Sequence, residues 1–330
     1  MTTKFIYPVD KTIIWSTISG ITILTNSYML ILICRKNRLW SSINAILASM
    51  FTAGILFGSI YLIPRFAYGN LMELGSFCHL VISFGQALSV IFMLHQCLVC
   101  LDRYLAVLSP LKYRLYTDNK IVITVVLLIW LLAFTGASIP LMTFSPIQGP
   151  ICNLTTQHVE AETVFLFTLL GALFFLPLLV ILITYAHIIH IFNHRDPLVL
   201  PVHQNSTKLS FLQKNRKLVM NVAIITSVLI VMWCPYVTIV LIYRVKTSYS
   251  PFELTVINIV QYFAFSYPAV SPLLYAYNMK SLRREVIKDY NAFCCNRQRR
   301  RVHTELSIRQ SNISNVNHTN LARKFPPELD

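Results

Sequence analysis

Charge is what this sequence has least of: 12% of its 330 residues are Asp, Glu, Lys or Arg, while 55% are hydrophobic. Soluble domains carry about 25% charged residues, so much of this apolar surface needs lipid as its solvent. Lys and Arg are missing altogether between Trp130 and Phe192. The net charge of +15 comes from short basic clusters set between long apolar runs, a distribution that speaks for loops at a membrane and against nucleic-acid binding. The runs lack paired charges and internal repeats, which argues against a transporter or channel. His187 and His190 stand three apart, but no Cys, Asp or Glu beside them completes a ligand set. No metal centre and no enzyme is expected from them. Residues 1–11 are too short and polar for a cleavable signal peptide, so the first run is expected to stay as a signal anchor.

What is present is seven apolar runs, at 12–34, 43–66, 77–101, 121–143, 162–192, 217–243 and 252–276. Each is long enough to cross a bilayer as a helix, which takes about 20 residues. The fold class is therefore an all-α membrane protein, a seven-transmembrane helix bundle. Basic residues follow the odd-numbered runs: Arg35, Lys36 and Arg38, then Lys112, Arg114 and Lys120, then Arg195, Lys208, Lys214, Arg216 and Lys217, then Lys280, Arg283 and Arg284. Positive loops stay inside, which puts the amino terminus outside and the carboxyl terminus in the cytoplasm. Ser83, Gln86, Ser89, His95 and Gln96 make the third run the most polar. That places it at the centre of the bundle, where other helices can satisfy it.

The organisation read from these patterns is an extracellular tail over 1–11, the helix domain over 12–277, a short amphipathic helix with lipidation sites over 278–295, and a disordered cytoplasmic tail over 296–330. In the third of these, Met279, Leu282, Val286, Ile287 and Tyr290 alternate at helical spacing with Lys280, Arg283, Arg284 and Lys288, the pattern of a helix on the inner membrane surface. Cys294 and Cys295 follow it and are placed for palmitoylation.

The third run ends in Asp102-Arg103-Tyr104, with Pro110 shortly after. Asn26, Asn44, Cys78, Trp130, Pro177, Tyr185, the Trp233-Cys234-Pro235-Tyr236 segment and Ser271-Pro272-Leu273-Leu274-Tyr275 occupy the other runs. In their spacing, over about residues 12–295, the chain resembles the rhodopsin-like (class A) G-protein-coupled receptors. The resemblance implies a plasma-membrane receptor that couples to a heterotrimeric G protein, with arrestin and receptor kinases acting at the tail. Its activation switch would comprise Asp102, Arg103, Tyr104, Leu111, Tyr185, Trp233, Pro235, Pro272 and Tyr275. In physical terms Asp102 can hold Arg103 by a charge-assisted bond, and each proline removes an intrahelical bond and marks a kink about which a helix can pivot. The resemblance also implies a disulfide between Cys78 and Cys152, on the oxidising side. Asn153 carries an outward-facing glycosylation sequon beside it.

Several family residues are replaced. Counting from Asn26 and Asn44, the sodium-binding Asp of the second helix becomes Gly54, the Ser of the third becomes Phe92, and the Asn before the last proline becomes Ser271. A hard cation needs oxygen ligands, so no sodium site is expected. The acid that restrains Arg103 in some relatives is absent from the inner end of helix six, which predicts a weaker resting restraint. Gly85 stands where aminergic receptors hold an Asp, so a protonated amine would lack its counter-ion. The cavity candidates are Gly85, Gln86, Ser89, Trp233, Tyr236, Gln261 and Phe265, and they favour a neutral, largely apolar small molecule. Residues 263–272 look like an opsin segment, except that Phe265 takes the place of the retinal-binding Lys. The chain thus resembles the opsin and melatonin-receptor neighbourhood with no covalent retinal expected and no other cofactor. A retinal-independent opsin relative, a melatonin-like receptor and a peptide receptor all stay open.

Overall fold

Backbone amides cannot be left unpaired in hydrocarbon, and each apolar run accordingly folds as a helix that satisfies its own N–H and C=O groups. A computed structural model describes residues 9–36, 41–67, 76–108, 113, 118–143, 159–194, 205–246 and 250–294. Its helices are α1 (Val9–Arg35), α2 (Ser42–Leu56, continuing as a π-helix over Phe57–Ala67), α3 (Ser76–Leu108) and α4 (Asn119–Thr143). They are followed by α5 (Val159–Leu170, a π-turn over Gly171–Phe175, then Leu176–His194), α6 (Asn205–Val245) and α7 (Pro251–Asn278). No strand occurs among the described residues.

Six of these helices are long and apolar enough to cross a membrane. The seventh, α7, has the length, at 28 residues, but is less apolar. One side of its second half, with Ala264, Phe265, Tyr267, Pro268, Ser271 and Tyr275, is buried, which relieves that side of the need to face lipid. At the other extreme, α4 shows Leu127, Leu128, Leu131 and Leu132 on its exposed side, the face suited to lipid. The centre belongs to α3, whose Leu88, Ile91, Phe92, His95, Gln96 and Val99 are all buried, in keeping with its polar content. Ser and Thr side chains on the bundle bond within their own helix, for example Thr17 to the carbonyl of Ile13 at 2.8 Å and Thr184 to that of Val180 at 2.6 Å. This is how hydroxyls persist in lipid-facing helices.

The helices run beyond the apolar limits. α1 starts at Val9 rather than 12, α3 continues to Leu108 rather than 101, and α6 starts at Asn205 rather than 217. Hydropathy marks where lipid ends, whereas the hydrogen-bonded helix continues into water as long as nothing breaks it. The start of α7 is set by chemistry that acts in water. Ser250 accepts from the Glu253 amide at 3.3 Å, Glu253 accepts from the Ser250 amide at 2.8 Å, and Pro251 occupies the first turn.

The bundle, up to Met279, and the segment from Lys280 onward form separate compact units. In the second unit residues 280–294 are helical, with Leu282 and Glu285 buried. Ile287, Tyr290 and Phe293 are exposed, beside a basic row of Lys280, Arg284 and Lys288. Cys295 and the tail lie outside the described residues.

Candidate functional site

In the half of the bundle that holds the first half of α3 lies a cavity of about 140 Å³ lined by α3, α5, α6 and α7, with Tyr61 from α2. Two backbone irregularities shape it. Pro64 cannot donate to the ladder of α2, and the π-helical run around it rotates Phe57 and Tyr61 into the bundle. Pro177 has the same deficit in α5, and the π-turn just before it accompanies Leu170, Leu173 and Phe174 on the cavity wall.

Gly85, Gln86, Ser89, Trp233, Tyr236 and Phe265 line this space, and Gln261 does not. Gln261 instead hydrogen-bonds the Tyr236 side chain. Ser89 donates to the Gly85 carbonyl at 2.8 Å, so its hydroxyl is already engaged. A Cβ at Gly85 would fall 2.2 Å from Cε2 and 2.7 Å from Cγ of Tyr61. The Tyr61 ring therefore fills the space that a side chain at this position would need. Phe265 is buried, and six aromatic rings have centroids 5.2–6.0 Å from its own: Trp15, Phe57, Tyr61, Phe66, Trp233 and Tyr236. The α1–α2–α7 side of this half is thus closed by aromatics, and the open volume lies toward the leucines of α5. The indole N–H of Trp233 is buried with no partner among the described residues.

Midway through the bundle, Pro272 leaves the carbonyl of Pro268 without its helical donor. Asn26 supplies one, donating from Nδ2 at 2.8 Å and also to the Thr22 carbonyl at 2.7 Å. Its carboxamide lies against Gly54, where a Cβ would come 2.3 Å from Oδ1. Close packing of α1 on α2 thus requires glycine at 54. Phe92 is buried and sets its ring edge-on to Phe57 at 5.9 Å. Ser271 is buried with no partner for its hydroxyl among the described residues. One helix over, Trp130 donates to Ser49 at 2.8 Å, and Ser49 lies 2.9 Å from Nε2 of His95. The Nδ1 of His95 faces the Ile91 carbonyl at 2.9 Å, so Nδ1 must carry the proton and Ser49 must donate to Nε2. His95 is a neutral tie between α2, α3 and α4.

Toward the end of α3, Arg103 donates to Asp102 through Nε at 2.8 Å and through a second, shorter bond from Nη2. The other carboxylate oxygen accepts from the Tyr113 hydroxyl at 2.9 Å. Asp102 is buried, so three donors on one carboxylate offset its loss of water. Nothing in the sequence singles out Tyr113, an ordinary tyrosine between Lys112 and Arg114. Tyr104 meets Nδ1 of His187 at 2.8 Å, and both Tyr104 and Tyr185 pack against buried Val107, Ile188 and Val219. Tyr275 is fully buried. Trp233 and Pro235 lie in α6 and Pro272 in α7. Leu111, Cys152 and Asn153 lie outside the described residues, while Cys78 is buried near the start of α3. Cys34, Cys97, Cys100, Cys234 and Cys294 are free thiols.

Comparison with known proteins agrees with this architecture. The family model described as "7 transmembrane receptor (rhodopsin family)" matches residues 25–275. The human histamine H2 receptor is 27% identical over 322 residues, covering 93% of this chain and 85% of that receptor. The mouse 5-hydroxytryptamine receptor 6 is 30% identical over 182 residues, 51% of this chain and 40% of its own. The crystal structure of squid rhodopsin superposes with a TM-score of 0.72 at 15% identity, covering 87% of this chain and 86% of that one. The chain therefore belongs to the rhodopsin family of seven-transmembrane receptors, and is a receptor rather than an enzyme.

Proposed function

We propose that this protein is a G-protein-coupled receptor of the plasma membrane whose ligand is a neutral, largely apolar small molecule seated between α3, α5 and α6. The observation that carries this reading is the Tyr61 ring packed on Gly85. Relatives are named for the amines histamine and 5-hydroxytryptamine, yet here the anchoring Asp is absent and an aromatic ring takes up its space. Without a counter-ion, a protonated amine would lose its hydration in the cavity for nothing in return. Leucines dominate the α5 wall, and the indole N–H of Trp233, which has no partner among the described residues, suits a ligand with one acceptor oxygen. The cavity is smaller than the roughly 300–1,000 Å³ common for ligand pockets. A ligand of ordinary size would enter by displacing side chains of α5, beside its π-turn.

Signal would pass by a shift between two states, with α6 turning about Pro235 and Arg103 leaving Asp102 and Tyr113 to meet the G protein, Leu111 completing the docking surface. The amino terminus is outside and the tail inside, a Cys78–Cys152 bridge ties the outer loop to α3, and Asn153 is the glycosylation candidate. Cys294 and Cys295 carry palmitoyl groups, and the tail serves receptor kinases and arrestin. No retinal is attached, since Phe265 has no amine, and no sodium ion is held, since the carboxamide of Asn26 crowds Gly54.

Two measurements test the reading. At matched surface expression, Arg103→Ala is expected to remove basal second-messenger output; a receptor that keeps its full output after this change does not couple as proposed. Replacing sodium by a large organic cation is expected to leave the Tm of the purified protein unchanged, and a sodium-dependent rise would restore the ion site.

A further inference from the structure

In the helical segment over 280–294, Lys280, Arg283, Arg284, Ile287 and Lys288 follow one another at short helical intervals, which sets all five on one face. They line a surface concavity of about 420 Å³ that belongs wholly to this second unit. Tyr290 and Cys294 continue the face, and Ile287, Tyr290 and Phe293 are exposed. The opposite side is not free, because Leu282 and Glu285 are buried. Charge on the open face is one-sided. Lys288 bonds Glu285 at 2.8 Å, whereas Lys280, Arg283 and Arg284 have no acidic partner among the described residues. Arg297, Arg299, Arg300 and Arg301 follow in sequence, so residues 280–301 hold eight basic residues against Glu285 and Asp289 alone.

We propose that this face is a binding site for a polyphosphoinositide headgroup, with Lys280, Arg283 and Arg284 on its phosphates and Ile287 and Tyr290 at the boundary with the acyl chains. The proposal goes beyond the receptor reading and shares with it only the cytoplasmic placement of the tail. Cations on successive turns stand about 5–6 Å apart, a spacing that lets several of them engage phosphates carried on one ring. A headgroup with a single net charge satisfies only one. The apolar residues decide between a lipid and a free phosphate, since a soluble anion gains nothing from Ile287 or Tyr290, whereas a helix at the acyl boundary buries them. Cys294, proposed above as an acylation site, lies on the same face and would hold it against the bilayer. An acidic protein that wraps around a basic helix would need the side on which Leu282 is already buried. Basic clusters on an amphipathic helix beside a membrane span draw anionic lipid in just this way, each cation contributing about fivefold to binding.

The full-length receptor, purified in uncharged detergent, would be titrated separately with phosphatidylinositol bisphosphate, phosphatidylserine and soluble inositol trisphosphate, and bound molecules counted by native mass spectrometry. The wild type is expected to hold the bisphosphate lipid roughly tenfold or more tighter than either of the others. Lys280→Gln, Arg283→Gln and Arg284→Gln together should weaken that lipid by roughly a hundredfold, at about fivefold for each cation. Ile287→Ser with Tyr290→Ser should weaken the lipid several-fold and leave the trisphosphate unchanged. Arg35→Gln with Lys36→Gln, at the end of α1, should change nothing. Wild-type lipid affinity in the triple variant, or phosphatidylserine held as tightly as the bisphosphate lipid, would overturn the proposal. So would an equal loss in the Arg35 and Lys36 variant, which points to diffuse charge. Trisphosphate bound as tightly as the lipid would make the occupant a soluble anion and overturn it too. Should the triple variant fail to purify, Arg284→Gln decides, since that side chain is exposed and its expected loss is about fivefold. None of these readouts depends on G-protein coupling, so a failure of the Arg103→Ala test and a failure here are separate results.

Discussion

Phe265→Ala is expected to lower the Tm of the purified receptor by roughly 5–10 °C and to cut its surface expression. The reasoning differs from that for a soluble core. Lipid solvates a phenyl ring as well as protein does, so little of the transfer term applies. What is lost is packing. Six rings surround Phe265 with centroids at 5.2–6.0 Å, and they belong to three other helices, α1, α2 and α6, so they cannot collapse inward together. A void of roughly 100 Å³ costs about 2–3 kcal/mol at the usual price per unit cavity volume. Phe265→Leu, which fills most of the space, should recover more than half of the loss. Thermal unfolding in detergent checks both variants, and a wild-type Tm for Phe265→Ala would show that the aromatic cluster does not hold these helices together.

Gly85→Asp, which supplies the acid that amine receptors carry, is expected to produce a poorly expressed protein that binds neither histamine nor 5-hydroxytryptamine. Its Cβ would sit 2.2 Å from the Tyr61 ring, and the contact includes Cγ, near the base of the side chain, so a small rotation does not clear it. The ring is also braced by Phe57, Phe66 and Phe265 at 5.1–5.7 Å. Gly85→Asp combined with Tyr61→Ala removes the clash and opens a slot beside the carboxylate. The double variant should regain surface expression and bind an amine measurably in a radioligand assay. Amine binding by Gly85→Asp alone, at wild-type expression, would mean that Tyr61 does not close the site.

Much of this arrangement is legible in residue order. Six of the spans follow from apolar length and the seventh from its length and motif, the central place of α3 from Gln86, His95 and Gln96, and the Asp102–Arg103 pair from adjacency in sequence. The missing lysine at Phe265 and missing acid at Gly85 are also plain from counting. Tyr61 is not, because its position depends on a π-helical run around Pro64, and a 3.6-residue period assigns its face wrongly once that run begins. Tyr113 is invisible for another reason: its bond to Asp102 spans eleven residues with no periodicity to signal it. Gln261 marks the opposite error, a polar residue counted toward the cavity that is engaged by Tyr236 instead.

The sequence by itself determined that this chain lives in lipid, crosses it with seven helices and carries the signalling landmarks of one receptor family, because hydropathy and motif spacing are one-dimensional properties. Tertiary structure alone decided how the vacated positions are filled. An absent side chain leaves space, and which neighbour takes it depends on where helices bend and how closely they approach. Here the Tyr61 ring closes the place beside Gly85, the Asn26 carboxamide occupies the place beside Gly54, and Gln96 gathers Thr226 and Tyr275 from helices over a hundred residues away.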